Sequence, residues 1–187
     1  GLLADEDTLR AAEQIIRRFP GIPVVADPVF KAGGGTELST PALRQLFIDR
    51  LLPLVDILTP NRAELAQLTP DIMTPFDDTA RAVVLMSQGC QAILVTATDE
   101  PLPGNDQQVV HTLHSPDTTR QWQWPRLPDV FHGSGCTLAS ALAARSSSGV
   151  IVSAPRERLM DESSSTQLSP AASPPRDKGT LWEMSFI

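Results

Sequence analysis

Residues 21–30 read GIPVVADPVF, a short apolar run that starts after a glycine and is interrupted at Pro28. Val24 and Val25 are β-branched neighbours, so apolar and polar residues do not alternate here. A strand that is buried on both faces has this pattern, whereas a half-exposed strand alternates. The stretch therefore predicts a buried parallel strand that ends at Asp27.

Helical and strand patterns alternate on both sides of this strand. Upstream, apolar residues at helical spacing over residues 5–19 predict a surface helix. Its inner face is predicted to consist of Leu9, Ala12, Ile15, Ile16 and Phe19. Downstream, helices are predicted over residues 41–55, 61–69 and 74–89 and buried strands over residues 56–60 and 90–98. This alternation predicts an α/β fold with a mostly parallel sheet flanked by helices and with sites at the carboxyl ends of its strands.

The pattern changes over residues 107–127, where apolar and polar residues alternate on both sides of a turn at residues 116–119. Such alternation predicts an antiparallel hairpin. Trp122 and Trp124 lie on the same face of it. Two tryptophans can stack on an aromatic ligand, but a covered hairpin face is the commoner use of such a pair, and we favour it.

Composition and charge exclude several classes of function. The chain has 187 residues and a formal net charge of -7, and its Lys and Arg residues form no dense run, which argues against a nucleic-acid partner. No apolar segment approaches the roughly 20 residues that cross a bilayer, and the first residues lack a signal-peptide pattern, so we expect a cytoplasmic protein without a membrane partner. Cys90 and Cys136 are too few and too far apart for a disulfide scaffold or a zinc site. The three histidines, His111, His114 and His132, have no metal-binding spacing.

The composition shifts at Ser146 to a segment rich in serine and proline. A segment of this composition cannot bury enough apolar surface to fold alone. We therefore predict a globular domain over residues 1–145 and a mostly disordered tail over residues 146–187. A regulatory segment and a replaced or misread natural end both remain consistent with the tail.

Residues 131–144 read FHGSGCTLASALAA, a glycine-rich turn that runs into a helix. The backbone N–H groups of residues 134–137 would converge at the helix start, where Gly133 and Gly135 allow a bulky anion to approach. Cys136 lies in the first turn, where the helix dipole favours its thiolate and makes it a candidate proton acceptor or nucleophile. The alternative is a tight turn with a small buried cysteine.

Three other features are candidates for a ligand site. Asn61 and Glu64 are three residues apart on a predicted helix, so they can hold a hydrated Mg²⁺ or form a capping box that satisfies the helix end. Asp27 follows the first strand, where ligands collect in open α/β folds, although an aspartate before proline is also a common turn residue. Lys31 and the glycines after it form a loop that can close over a ligand or remain solvated.

The ordered set VVADPVF, LLPLVDILTPNRAEL, GCQAILVTAT and FHGSGCTLASALAA resembles the hydroxymethylpyrimidine and phosphomethylpyrimidine kinases of thiamine biosynthesis, in the ribokinase-like superfamily. The resemblance covers residues 1–145. It implies that MgATP donates its γ-phosphate to 4-amino-5-hydroxymethyl-2-methylpyrimidine and then to its monophosphate. Pyridoxal kinases are near relatives that generally carry aspartate at the position of Cys136, so the cysteine favours the pyrimidine substrate over pyridoxine or pyridoxal.

The resemblance also implies roles for single residues. The family's glycine-rich turn cradles the transferred phosphate and its cysteine acts as the base; these roles fall to Gly133, Ser134, Gly135 and Cys136. Its Asn and Glu pair positions Mg²⁺ and phosphate, which implies Asn61 and Glu64, and its aspartate near the metal corresponds to Asp27. Many members carry a lysine and glycines after the strand that matches AILVTAT, where this chain has Thr96, Ala97 and Thr98. Thr96 is the candidate nucleotide contact at that position.

Two departures from the family pattern concern the ends of the chain. The family begins with a glycine-rich strand and further strands that form much of the pyrimidine pocket, and this chain matches only from their end, so we expect the N-terminal strands to be missing. Family members also continue past the last helix, where this chain has its Ser/Pro-rich segment. The apolar surface exposed by such losses predicts a chain that is either unstable or a homo-oligomer. Because of the same losses, a non-catalytic remnant that binds the nucleotide is an alternative to an active enzyme.

Overall fold

The fold is built on a sheet whose strands lie side by side in the order in which they occur in the chain. The computed structural model describes residue 3 and residues 5–30, 39–74, 77–98, 107–127 and 133–146. Within these residues the sheet has five strands. They are β1 (Val25–Ala26), β2 (Ile57–Leu58), β3 (Ala92–Thr96), β4 (Gln108–Ser115) and β5 (Thr118–Pro125).

Five α-helices accompany the sheet in the described part of the chain. They are α1 (Glu6–Arg18), α2 (Pro41–Leu46), α3 (Arg62–Leu68), α4 (Asp78–Ser87) and α5 (Ser134–Ser146). None of these helices is both long and apolar enough to span a membrane. The loop at Lys31, His132 and all of the predicted tail except Ser146 lie outside the described residues.

The first three strands form the parallel part of the sheet. Val25 of β1 is in register with Ile57 of β2, and Ile57 is in register with Ala92 of β3. Backbone bonds extend the first pair on both sides, because the carbonyl of Val24 accepts from the N–H of Ile57 at 3.1 Å and that of Ala26 accepts from the N–H of Thr59 at 2.9 Å. The prediction of a mostly parallel α/β sheet is confirmed, and the carboxyl ends of β1, β2 and β3 lie at one edge.

The last two strands form the predicted antiparallel hairpin. β4 pairs with β3, where Thr96 is in register with His111, and it pairs along its whole length with β5. Trp122 packs into the apolar cluster that contains Ile57 and Leu142. The ring of Trp124 lies 5.0 Å from that of His111. Both contacts favour the structural interpretation of the tryptophan pair.

Helices cover both faces of the parallel strands. Successive residues of a strand point to opposite faces, and β2 and β3 follow this rule. Leu58 and Ile93 belong to the larger core, which is completed by apolar residues of α1, α2, α3 and α4. Ile57 and Leu94 belong to the smaller core, against which Leu138 and Leu142 of α5 pack. The two cores bury β2 and β3 on both faces, as their apolar sequences predict.

The buried face of α1 differs from the prediction. Leu9 is fully buried, but Ile15 and Phe19 are 60% and 54% exposed. Glu13 is buried instead, at 5% exposure, and accepts hydrogen bonds from Arg17 and Arg50 at 2.9 Å each. The bonds from Arg50 and then Arg17 lower the pKa of Glu13. A buried carboxylate that is paired with two guanidinium groups was not visible in the apolar periodicity.

The helix predicted over residues 41–55 consists of three consecutive helical geometries. After α2 the chain forms a π-helical turn, Phe47–Leu51, and then a 3₁₀ turn, Leu52–Leu54. Pro53 has no N–H and cannot donate to the carbonyl one α-helical turn earlier, so the regular ladder cannot continue through it. The run ends at Leu54, one residue before the predicted end.

Candidate functional site

The candidate site lies at the edge where β1, β2 and β3 end. Asp27 follows β1, Thr59 follows β2, and Thr96 is the last residue of β3. The first turn of α5 reaches the same edge, because Cys136 of this turn contacts Asp27. The sequence predicted this edge as the position of a site, and most of the candidate residues come to it from distant parts of the chain.

Asp27 and Cys136 come from opposite ends of the domain and contact each other directly. The Cys136 thiol donates to Oδ2 of Asp27, with 3.7 Å between sulfur and oxygen, although the two residues are 109 positions apart. A Cβ atom added to Gly135 would lie 3.9 Å from Oδ2 and 4.0 Å from Oδ1 of Asp27. The carboxylate therefore faces the beginning of α5. Cys136 is exposed, so it is not the small buried cysteine of the alternative interpretation.

Thr59 is a site residue that the sequence analysis missed. It is buried, and its hydroxyl lies 3.3 Å from the carbonyl of Ala26 and 3.3 Å from Oδ1 of Asp27. The Ala26 carbonyl already accepts from the Thr59 N–H at 2.9 Å. Because a hydroxyl has one proton, its hydrogen bond to the charged carboxylate is the stronger of its two options. Thr59 thus fixes one oxygen of Asp27, and the other oxygen faces Cys136. A hydroxyl residue directly after a buried strand was the available signal.

The start of α5 has fewer available N–H groups than predicted. Gly133 adopts a φ of 84°, the left-handed region that favours glycine, immediately before the helix. The N–H and the hydroxyl of Thr137 both donate to the Gly133 carbonyl at 2.9 Å, so Thr137 is an ordinary member of the first helical turn. The predicted range of residues 134–137 is therefore wrong at its last member. Within the described residues, the N–H groups of Ser134, Gly135 and Cys136 have no backbone acceptor, as the geometry of a helix start requires.

Asn61 and Glu64 form the predicted capping box at the start of α3. Oδ1 of Asn61 accepts from the N–H of Glu64 at 2.8 Å, and Oε2 of Glu64 accepts from the N–H of Asn61 at 2.9 Å. The structural interpretation of the pair is confirmed, and their metal role stays a prediction. A bridge pairs Asn61 with Thr96, whose N–H donates to the Pro60 carbonyl at 2.9 Å. Two of the predicted nucleotide contacts, Asn61 and Thr96, are therefore direct neighbours.

The oxygen groups at this edge suit a hydrated magnesium ion better than a metal held by protein alone. Among the described residues, no three His, Cys, Asp or Glu side chains come together. Mg²⁺ is usually bound through one or two carboxylates together with water and phosphate oxygens. A carboxylate offers about four lone-pair positions, so the capping box does not exclude water-mediated contact with Glu64. The donor chemistry of Asp27 and Glu64 fits such an ion.

The histidines in the described residues take no part in this edge. His111 and His114 lie on β4 and point to opposite faces of the sheet. Burial lowers the pKa of His111, and it also lowers the pKa of His114 against the opposing effect of the Asp78 carboxylate. The Nε2 atoms of both rings are buried and have no hydrogen-bond partner among the described residues. That neither histidine is a metal ligand stays a prediction.

Comparison with known proteins shows which family this chain resembles. The model of the phosphomethylpyrimidine kinase family matches residues 1–154. The hydroxymethylpyrimidine/phosphomethylpyrimidine kinase of Salmonella typhimurium is 33% identical over 147 residues, which are 77% of this chain and 54% of that enzyme. The chain thus spans about half the length of such relatives.

Solved structures show the same fold. A pyridoxal kinase from Bacillus subtilis, solved as an ADP complex, has a TM-score of 0.65 and 26% identity, with 80% of this chain and 54% of that chain covered. A phosphomethylpyrimidine kinase from Clostridium difficile has a TM-score of 0.62 and 21% identity, with 80% and 59% covered. The ribokinase-like fold is therefore confirmed. With the family model matching more than half of its residues, the chain belongs to the phosphomethylpyrimidine kinase family.

Proposed function

We propose that this chain transfers the γ-phosphate of MgATP to the hydroxyl group of 4-amino-5-hydroxymethyl-2-methylpyrimidine, and then a second phosphate to the monophosphate product. In the first step a bond forms between the hydroxymethyl oxygen and the γ-phosphorus. The bond from that phosphorus to the β–γ bridging oxygen breaks, and the hydroxyl proton passes to the protein. Family membership supports the reaction type, and the edge described above supports the assignment of residues.

One observation carries this proposal. The thiol of Cys136 lies 3.7 Å from the carboxylate of Asp27, in the first turn of a helix whose leading N–H groups have no backbone acceptor among the described residues. Phosphoryl transfer requires chiefly alignment and neutralisation of charge, and it needs one group that takes the proton. The N–H groups of Ser134, Gly135 and Cys136 would bind the transferred phosphate, and the thiolate of Cys136 would take the proton.

The other candidate residues would act on the nucleotide side. When bound, Mg²⁺ supplies positive charge to the phosphates. Asp27 and Glu64 would hold it through water, and Asn61 and Thr96 would contact the nucleotide phosphates. Thr59 would keep the Asp27 carboxylate in its present orientation through the bond to Oδ1. We also propose that the chain is located in the cytoplasm and that it self-associates.

Phosphorylation of pyridoxal is the second candidate function. It is favoured by the 26% identity to the pyridoxal kinase of Bacillus subtilis. The TM-score of that structure, 0.65, is similar to the 0.62 of the phosphomethylpyrimidine kinase of Clostridium difficile. The third candidate is a domain that binds the nucleotide without turnover. All three can be separated in one assay.

The experiment is phosphate transfer from MgATP by the purified 187-residue chain, with hydroxymethylpyrimidine and with pyridoxal under identical conditions. We expect turnover with the pyrimidine. Cys136→Ala should lower it by roughly 10²–10⁴-fold, the contribution of a general base, and leave MgATP binding nearly unchanged. Cys90→Ala is the matched control, because Cys90 lies in the larger core and should affect only stability.

Each outcome separates the candidates. Preference for pyridoxal would replace the pyrimidine substrate in the proposal. MgATP binding by a folded chain without transfer to either substrate would identify the non-catalytic alternative. Equal turnover by the wild-type chain and Cys136→Ala would reject the base.

A further inference from the structure

Arg126 is a cation at the candidate edge that neither the sequence analysis nor the proposed reaction has used. It follows β5 directly, and its N–H donates to the Gln107 carbonyl at 2.8 Å. Because β4 and β5 run antiparallel to each other, the end of β5 lies beside the start of β4. The start of β4 in turn lies beside the end of β3. Arg126 therefore stands at the same edge of the sheet as Thr96.

The side chain of Arg126 reaches the last residues after β3. One terminal nitrogen donates to the Thr98 carbonyl at 2.9 Å, and the other donates to the Ala97 carbonyl at 3.3 Å. These two bonds fix the plane of the guanidinium next to Thr96, which is bridged to Asn61. The backbone of residues 96–98 thus connects Arg126 with the capping box at the start of α3.

The charge of Arg126 has no counterion among the described residues. The ion pairs in this part of the chain use Arg10, Arg17, Arg50 and Arg62. Among the residues that the structure describes, the Arg126 side chain donates to two neutral carbonyls, and its Nε atom is buried without a hydrogen-bond partner. A guanidinium stays protonated in proteins, so this position carries a permanent positive charge whose described hydrogen bonds are incomplete.

We propose that Arg126 binds the polyphosphate of the nucleotide. A planar guanidinium matches the geometry of phosphate oxygens, and one that is held in place by two carbonyl bonds loses little side-chain entropy on binding. The inference rests on the proposed function for the identity of the ligand. It goes beyond that function by placing a cationic phosphate contact on the hairpin, at the edge where β3 ends.

The first test is calorimetric binding of inorganic tripolyphosphate, of MgATP and of adenosine to the 187-residue chain. Arg126→Gln should weaken tripolyphosphate and MgATP binding by about 10-fold or more, the size of a charge-assisted hydrogen bond, and leave adenosine binding unchanged. Arg120→Gln is the matched control, since Arg120 is an exposed arginine on the same hairpin. Arg126→Lys, which keeps the charge but loses the planar fork, should fall between the two.

A second measurement does not depend on the folding of a variant. In the wild-type chain, tripolyphosphate should slow modification of Arg126 by phenylglyoxal, as followed by mass spectrometry, and leave Arg120 unprotected. Unprotected Arg126, or equal loss of adenosine and tripolyphosphate binding in Arg126→Gln, would overturn the inference. Failure of wild-type chain to bind tripolyphosphate would overturn it as well. Tripolyphosphate binding without phosphate transfer would count only against the proposed reaction.

Discussion

The parallel strands β1 and β2 are short but are followed by most of the candidate site residues, whereas the antiparallel hairpin is long and is followed by one. β1 and β2 have only two residues each, whereas β4 and β5 have eight each. Yet Asp27, Thr59 and Asn61 all follow one of the two short strands. In the hairpin, backbone pairing continues along both strands, and Arg126 lies beyond the end of β5, at the candidate edge. Candidate site residues therefore collect where parallel pairing stops and polar backbone and side-chain groups become available.

The largest expected effect concerns the stability of the fold, which we expect to depend more on the parallel strands than on the hairpin. Leu58 of β2 is fully buried in the larger core, whereas Leu113 of β4 is partly buried beside the smaller core. Leu58→Ala should lower the free energy of unfolding by about 2–5 kcal/mol, because a cavity opens among well-packed neighbours. Leu113→Ala should cost less than about 2 kcal/mol, because part of its surface is already in water.

Denaturant unfolding followed by circular dichroism measures both values. Equal losses for the two variants, with equal slopes, would mean that the hairpin is as central to the core as β2. In that case the division between a stabilising parallel part and an attached hairpin would be wrong.

A smaller effect is expected after the end of β2, where Glu64 is both a capping residue of α3 and a candidate metal ligand. Glutamine can replace glutamate in a capping box, so Glu64→Gln should keep the free energy of unfolding within about 0.5 kcal/mol. Its loss of charge should nonetheless reduce Mg²⁺-dependent phosphate transfer. Glu64→Ala should lose activity and also about 1 kcal/mol of stability, because the box is broken.

The measurement pairs thermal unfolding with phosphate transfer over a range of Mg²⁺ concentrations. A raised Mg²⁺ requirement in Glu64→Gln, at nearly unchanged stability, is the result expected for a metal ligand. Loss of melting temperature with an unaltered Mg²⁺ requirement would leave Glu64 as a cap only.

Most of the fold could be predicted from local patterns, since each of the predicted helices and strands is present. The predicted burial of β1 is wrong, because both of its residues are only half-buried. Gly89, for example, has a φ of 110° and ends the helical segment where the sequence predicted. The misassigned face of α1 had a physical cause: Glu13 is buried because Arg50, which is 37 residues away, pairs with it. Periodicity cannot reveal such a distant partner.

The candidate site was predictable in its parts and not in its contacts. Asp27 and Cys136 were each singled out, but their distance depends on how α5 packs against β1. Thr59 and Arg126 were missed because neither belongs to a recognisable spacing. Their place at the site is defined by tertiary contacts, namely the bond from Thr59 to Oδ1 of Asp27 and the bonds from Arg126 to the carbonyls after β3.

The smallest predicted effect concerns the hairpin, which carries both histidines of the described residues. Burial lowers the pKa of His114 below its ordinary value near 6.5, so the folded chain resists protonation at this ring. As the pH falls below about 6.5, the unfolded chain takes up a proton that the folded chain does not, and stability decreases. His114→Leu removes this proton uptake and also the buried Nε2 atom that has no partner.

The free energy of unfolding should therefore fall less between pH 7.5 and 5.5 in His114→Leu than in the wild-type chain. Over this range Glu13 contributes little, because its lowered pKa places its loss of stabilisation at more acidic pH. Burial also lowers the pKa of His111, so the stability of His114→Leu should still depend on pH to some extent. This remaining pH dependence should be smaller in the double variant His111→Leu/His114→Leu. An unchanged pH dependence in the double variant would mean that the acid sensitivity near neutral pH arises outside the hairpin. The hairpin would then differ from the parallel strands in geometry and not in its response to protons.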